Sequence, residues 1–474
     1  MSSTLFYQTQ LSVLSCICVF ALFLDRRATR KVWNTSPNSP HSDGTPGNDV
    51  QRRLAAASLL AWKYLTVYGI VMTADWLQGP YLYSLYREQY QLSERLVASL
   101  FVVGFISAGL AAPLIGVWAD QHGRRKLCLA FCITYTLSCL CITMPHLVLL
   151  LLGRILGGTS TSILFSVFES WVISESTTAS LLPADLSTIL GRATLLNGFV
   201  AAGAGILSNQ LVLMTSNFAS PYMASASLLL LSWVLIRVLW TENYGGGGGL
   251  PNKDVWQMRR LGQACTIVRQ DPVLLVLGLA QTCFEGSMYL FVFLWVPSLQ
   301  ESSSDPQLPL GYIFSSFMIS MMLGSLLYTL IVTRHQQLSD PKPSSVTLHA
   351  QLSSIVCAVS ALAFLTSTIF FSEHTRFWAF CLYEVCVGMY YPVQGTLRGA
   401  LISNEHRATL SSLFRVPLNI FVAVSLLTGV SSARRTVLVT SAVMLTVSSL
   451  LTAIVIVDRS KEPQSPPSPR PSDD

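Results

Sequence analysis

Gly116-Val-Trp-Ala-Asp120-Gln-His-Gly123-Arg124-Arg125-Lys126 is a short charged turn set between two long apolar runs. Residues 96–119 contain no Asp, Glu, Lys or Arg, and neither do residues 127–153. An apolar run of about 20 residues is long enough to cross a bilayer as a helix. Two such runs joined by so short a turn form a helical hairpin in a membrane.

The same pattern extends in both directions. The chain of 474 residues is 51% hydrophobic and only 11% charged, against about 25% charged in an ordinary globular protein. Long apolar cores recur at 4–24, 63–86, 96–119, 127–144, 146–171, 191–213, 222–240, 272–297, 310–332, 350–371, 377–400, 412–430 and 435–457. Continuous runs of this length satisfy their backbone in lipid as helices. The expected fold class is therefore an all-α polytopic membrane protein, with twelve main spans and an extra one at the N-terminus.

The first span carries no positive charge ahead of it, and Arg26, Arg27, Arg30 and Lys31 follow it. That order is the reverse of a secretory signal and predicts an uncleaved anchor. Residues 32–56 are rich in Ser, Pro, Asn, Gly and Thr and read as a flexible cytoplasmic linker. The sequon Asn34-Thr35-Ser36 falls in it, and a glycan there would reverse the N-terminal topology. Basic residues concentrate in the alternate loops that hold Arg52, Arg53, Arg124, Arg125, Lys126, Arg259 and Arg260, which places those loops in the cytoplasm. The net charge of +6 thus reports topology, and no nucleic-acid partner is expected.

The predicted organisation is a span and linker over 1–56, a six-helix half over 57–240, a central cytoplasmic loop over 241–271, a second half over 272–457, and a disordered tail over 458–474. The loop contains the glycine run Gly245 to Gly249, and the tail is rich in Pro and Ser. The halves echo one another weakly. Phe101-Val-Val-Gly-Phe-Ile106-Ser107 resembles Phe314-Ser-Ser-Phe-Met-Ile319-Ser320, Arg192-Ala-Thr-Leu-Leu-Asn197 resembles Arg415-Val-Pro-Leu-Asn419, and Arg154 to Gly158 aligns with Glu384 to Gly388.

A charge in the bilayer core costs on the order of 3 kcal/mol or more, so each one asks for a reason. Arg154, Arg192 and Arg415 are candidate anion contacts, with Asn197 and Asn419 at repeat-related positions. Alternatively Arg154 bonds neighbouring helix carbonyls, and Arg192 and Arg415 snorkel to the interface. Arg398 lies at the end of its span, where snorkelling is expected. Asp75, Glu285 and Glu384 are the mid-span acids, able to carry a proton or to hold an arginine in a fixed pair. Gly79-Pro80 should break the helix just past Asp75. Glu169 sits near a cytoplasmic helix end as a gate or ion-pair residue. The cysteines, including Cys128, Cys132 and Cys386, show no metal-ligand spacing and read as small packing residues. No phosphate-binding glycine loop, metal cluster or nucleophile–base arrangement is present, so neither enzyme activity nor a cofactor is expected.

The pattern Gly-x-x-x-Asp-x-x-Gly-Arg-Arg resembles the loop between the second and third helices of major facilitator superfamily transporters. That resemblance implies a gating role for Asp120, Gly123, Arg124 and Arg125, clamping the cytoplasmic ends of two halves while the cavity faces outward. The second-half copy, Thr333-Arg334-His335, is degraded. Arg154-Ile-Leu-Gly-Gly158 resembles the fourth-helix motif of the same superfamily. Further segments narrow the likeness: Ala74-Asp-Trp-Leu-Gln-Gly-Pro-Tyr-Leu-Tyr83, Leu164-Phe-Ser-Val-Phe-Glu169, Phe291-Val-Phe-Leu-Trp295, Pro309 to Met318 and Phe414-Arg-Val-Pro-Leu418. As a set, over roughly residues 57–457, they look like the molybdate-anion transporter family of that superfamily. The long linker at 32–56 and the glycine run depart from the family pattern, but both lie in loops.

The resemblance implies a substrate, a tetrahedral oxyanion of charge −2, for which arginine's planar fork is suited. It implies uptake by alternating access, with the lipid bilayer as surroundings, the plasma membrane as location and a monomer as the working unit. Entry against 100 mV costs a dianion about 4.6 kcal/mol, which co-transported protons would offset. Other small solutes, such as sulfate, an organic anion or a sugar, remain open as substrates. So does a receptor or scaffold that moves nothing.

Overall fold

The structure, a computed structural model, describes residues 3–35, 48–244, 266, 268–303, 305, 307–338, 345–402, 407–429 and 434–457. The glycine run, residues 36–47 of the expected linker and the tail lie outside the described residues, as do the side chains of Asn34 and Asp120, whereas 32–35 and 48–56, expected as flexible linker, continue the flanking helices.

The described residues form long helices: α1 (Ser3–Thr35), α2 (Asn48–Leu77), α3 (Glu94–His122), α4 (Arg124–Ile142), α5 (Leu147–Leu164), α6 (Val167–Thr178), α7 (Pro183–Thr215), α8 (Ser220–Leu239), α9 (Pro272–Ser302), α10 (Leu310–Leu338), α11 (Ser345–Ile369), α12 (Glu373–Leu401), α13 (Arg407–Gly429) and α14 (Arg434–Leu451). Eleven helical segments are long and apolar enough to cross a bilayer, counting α5 and α6 as one. Large apolar side chains such as Met214, Val238 and Phe20 point outward and are exposed. That suits a lipid surround, where helices gain little from hiding apolar groups.

Two helix boundaries differ from the expected spans, each for a local reason. The span expected over 63–86 ends at Leu77. Gln78 N–H and Gly79 N–H close on the carbonyls three residues back, and Pro80 lacks the N–H to continue. A short turn, Leu82–Ser84, follows. The span expected over 146–171 is interrupted at Phe165 and Ser166, between α5 and α6. There Thr161, Ser166 and Ser170 hydroxyls each bond the carbonyl four residues back, which competes with the ladder and bends helices.

Helices α2–α8 and α9–α14 make two six-span sets, and α1 lies outside them against α10. It is pinned at one end by Tyr7, whose hydroxyl donates to Glu373 Oε1 at 2.6 Å. The internal repeat is visible in the backbone. In the first set a Cβ at Gly158 of α5 would meet Gly104 O of α3, and in the second a Cβ at Gly388 of α12 would meet Met321 O of α10. Gly158 and Gly388 are the paired positions of the sequence repeat. At both, only glycine lets two helix backbones come so close.

Candidate functional site

The two sets are zipped together on the side that holds the N-terminus of α3 and the N-terminus of α14. Arg434 of α14 donates from Nη2 to Glu94 Oε1 of α3 at 2.8 Å and from Nε at 2.9 Å. Gln300 Nε2 donates to Glu88 Oε1 at 2.7 Å, and Gln210 Nε2 to Tyr312 OH at 2.7 Å. Phe293 of α9 meets the rings of Tyr83 and Phe101 edge-on, with centroids 5.4 and 5.0 Å apart. Helices α7 and α10 touch through backbone, because a Cβ at Gly205 would lie 2.7 Å from Gly311 O. Ser315 Oγ then donates to Ala202 O at 2.7 Å. Toward the opposite side, a cavity of about 480 Å³ lies between α7, α10 and α12, lined by Asn197, Gly198, Met322, Ser325, Tyr391 and Leu22 of α1 among others.

Below the zipped side, charged groups converge on the inner face of the second set. Gln281 and Glu285 lie one turn apart on α9, and Gln281 Nε2 donates to Glu285 Oε2 at 3.3 Å. Arg398 of α12 donates from Nη1 to Gln281 Oε1 at 3.4 Å. Arg398 and Arg415 both lie near Glu285, and neither forms an ion pair with it among the described residues. Arg415 and Asn419 lie one turn apart on α13. Asn419 Nδ2 reaches across to the first set, where a Cβ at Gly109 would lie 2.7 Å from it. Tyr289, one turn beyond Glu285, stacks on Phe105 of α3 at 4.8 Å. Two arginines, one carboxylate, two amides and a tyrosine therefore share one wall, with net charge +1 when Glu285 is ionised.

The first set contributes differently. Trp76 Nε1 donates to Asn197 Oδ1 at 2.8 Å, tying α2 to α7 beside the cavity. Asp75 accepts from Tyr135 OH at 2.6 Å. Arg192 is exposed on α7. Arg154 does not reach the shared wall: its Nε donates to Leu100 O at 3.1 Å and its guanidinium lies over Phe101 at 5.3 Å. That is the alternative weighed for it, an arginine bonded to a neighbouring helix. Glu384 is 7% exposed, and no hydrogen bond or ion pair holds it among the described residues. Glu169 is exposed and lies close enough to Tyr64 and Tyr68 for its charge to act on them.

The charged turn is tied to its own set. Gly123 has φ +104° and marks the junction of α3 and α4. Glu242, just past α8, accepts Arg125 N–H at 2.9 Å and Lys126 N–H at 3.2 Å. It caps a helix start that has no side-chain cap of its own, where a carboxylate is favoured by the helix dipole. Arg125 Nη2 donates to Arg237 O at the end of α8 at 2.7 Å.

Sequence comparison places the chain among known transporters. Residues 48–372 match a family described as sugar transporters with twelve transmembrane segments. The "Molybdate-anion transporter" of Xenopus tropicalis is 35% identical over 371 residues, covering 77% of this chain and 78% of that one. The protein of the same name from Xenopus laevis is 36% identical over 372 residues, with the same coverage. The chain belongs to the molybdate-anion transporter family of the major facilitator superfamily. Among solved structures, the nucleoside transporter NupG superposes with a TM-score of 0.67 at 12% identity, over 83% of this chain and 98% of that one. A POT family peptide transporter in an auto-inhibited form gives 0.65 at 10%, over 87% and 99%. At such identities the likeness speaks for the fold alone. The family is one of integral, multi-pass membrane transporters, not enzymes. No group of three or more His, Cys, Asp or Glu side chains that could hold a metal occurs among the described residues.

Arg398, expected at the interface, instead faces Gln281 and Glu285. Its place on the wall had no sequence signal, because its position near the helix end allowed it to snorkel. Gln281, Tyr135 and Tyr289 had none, because a lone amide or hydroxyl in an apolar span reads as packing until its partner is known.

Proposed function

We propose that this protein carries molybdate into the cell by alternating access, with the dianion bound between Arg398, Arg415 and Arg192 at the inner faces of the two halves. The reading rests above all on Arg398 and Arg415 converging on Glu285 beneath a zipped side. Two planar guanidinium forks suit the oxygens of a tetrahedral dianion. Asn197 and Asn419 supply neutral donors at repeat-related places, and Glu285 keeps the arginines from repelling each other while the site is empty.

In this reading the zipped side faces outward and the cavity beside Asn197 opens to the cytoplasm, as the basic loops imply. Asp75, Glu285 and Glu384 balance or carry the protons that offset the cost of moving a dianion inward. Asp120, Gly123, Arg124, Arg125 and Glu169 act at the cytoplasmic gate, which closes in the outward-facing state. The transporter works as a monomer in the plasma membrane, with the domain limits given by the sequence.

The family description favours a sugar as the second reading, and Trp76, Asn197 and Gln281 would suit one. A neutral sugar, however, gains nothing from two converging guanidinium groups in the membrane. Uptake of radiolabelled molybdate into proteoliposomes, with sulfate or sugars as competitors and with pH and potential varied, tests both. Competition by a sugar but not by sulfate would overturn the oxyanion reading. Unchanged uptake after alanine replacement at Arg192, Arg398 and Arg415 together would overturn the assignment of the site.

A further inference from the structure

A second cluster of arginines lies at the zipped side, inside the second half and away from the central wall. Arg376 of α12, Arg434 and Arg435 of α14, Glu301 and Ser298 of α9, and Phe371 surround a cavity of about 80 Å³. Ser298 and Glu301 stand 13 and 16 residues beyond Glu285 on α9, or about 20 Å along the helix. A water takes about 30 Å³ of liquid volume, so the space suits two or three waters or one small anion.

The cavity carries uncompensated positive charge. Arg376 is 5% exposed. Its Nε donates to Ser367 O at 3.0 Å and its Nη1 to Ser298 O at 2.7 Å, with Glu301 at 3.3 Å. Its Nη2 has no partner among the described residues. Arg435 has no carboxylate partner among them either. Both lie over the Phe371 ring, at 4.8 and 5.6 Å. One ring attracts each cation by about 0.5–1 kcal/mol, yet it brings two like charges together, an arrangement that an anion would relieve. Arg434 turns toward Glu94 of the other half. Three arginines against Glu301 and Glu94 leave +1, and once Glu94 departs with its half they leave +2.

We propose that this cavity is an outer site for a small tetrahedral oxyanion, which binds Arg376, Arg434 and Arg435 and displaces Glu94 from Arg434, so that the anion loosens the outer gate. The proposal rests on the oxyanion reading of the central site and adds a waiting site ahead of it. Guanidinium forks bind phosphate-like oxygens bidentately, so a lipid phosphate offers the same chemistry, and the test must separate the two.

Equilibrium binding of radiolabelled molybdate to the purified full-length protein, in a phosphate-free maltoside detergent, reads the number of sites. The wild type should bind two per chain, and Arg398→Ala with Arg415→Ala should leave one. Adding the exposed Arg435→Ala to that pair should weaken the remaining site tenfold or more. Adding Glu94→Gln instead should tighten it several-fold by removing the competitor. Thermal unfolding of each variant shows that the fold persists. One molybdate per wild-type chain, lost entirely with Arg398→Ala and Arg415→Ala, would overturn the outer site and leave the transport reading standing. No binding by the wild type would overturn both. An effect of Arg435→Ala confined to nanodiscs of anionic phospholipid would assign the cavity to lipid and overturn the proposal.

Discussion

Glu94 and Arg434 form an ion pair at 2.8 Å that joins α3 of the first half to α14 of the second. The side chains are 12% and 30% exposed, so water screens the pair only in part. A partly exposed pair contributes about 1 kcal/mol. Glu94→Gln should therefore raise the population with the zipped side open by roughly fivefold. Distances between spin labels at the outer ends of α3 and α14 measure this, and the reversed pair Glu94→Arg with Arg434→Glu should restore the closed population. An unchanged distance distribution in Glu94→Gln would remove the pair from the gate.

Arg398 and Arg415 should differ from Arg154 in transport. Arg398→Lys keeps the charge but loses the planar fork and should raise the KM for molybdate about tenfold, with Arg415→Ala at least as severe. Arg154→Lys should act mainly on stability, since Arg154 binds Leu100 O and Phe101. A large KM effect from Arg154→Lys with normal stability would bring Arg154 into the site.

Gly388→Ala should cost about 2 kcal/mol, because its new Cβ meets the Met321 carbonyl, backbone that has nowhere to move. Gly395→Ala, seven residues on and facing open space, should be neutral. Thermal unfolding in detergent compares them, and equal effects would contradict the close helix crossing.

At the charged turn, φ +104° and a Cβ position 2.6 Å from the Glu242 carboxyl group make Gly123→Ala costly by about 2 kcal/mol. The cost should shrink in a Glu242→Ala background, where the clash disappears and only the backbone strain remains. Expression level and thermal stability of the two singles and the double give the coupling. Strict additivity would show that Glu242 is not the obstacle.

In the proposed mechanism protons move inward with the anion, so molybdate uptake should be faster when the outside is acidic. Glu384 is buried and lacks a partner among the described residues, so a neutral amide should be tolerated there. Glu384→Gln should keep molybdate affinity within about twofold and flatten the pH dependence of uptake. Reduced affinity with an unchanged pH slope would reduce Glu384 to a packing residue.

Much of the fold was legible because lipid imposes simple rules. Each apolar core of about 20 residues had to become a helix, and α1–α14 fall where those cores lie. The glycine pair Gly158 and Gly388 could be aligned from the repeat alone. The two breaks were less equal. Gly79-Pro80 announced itself by a missing N–H, whereas the interruption at Phe165 and Ser166 came from several hydroxyls acting together. Within the site, Arg415 and Glu285 were legible as costly charges. Arg398 was not, because its distance from the helix end allowed it to snorkel.

The sequence by itself determined a multi-span helical membrane protein, its repeated halves and a short set of charges that lipid would not tolerate without purpose. Those conclusions depend on local hydrophobicity and spacing, which need no partner. Only the tertiary structure decided which charges meet. It turned Arg154 to a helix backbone, brought Arg398 to Gln281 one turn from Glu285, and paired Glu94 with Arg434, residues 340 positions apart. A charge finds its partner across the interface between helices, and no local pattern encodes that distance.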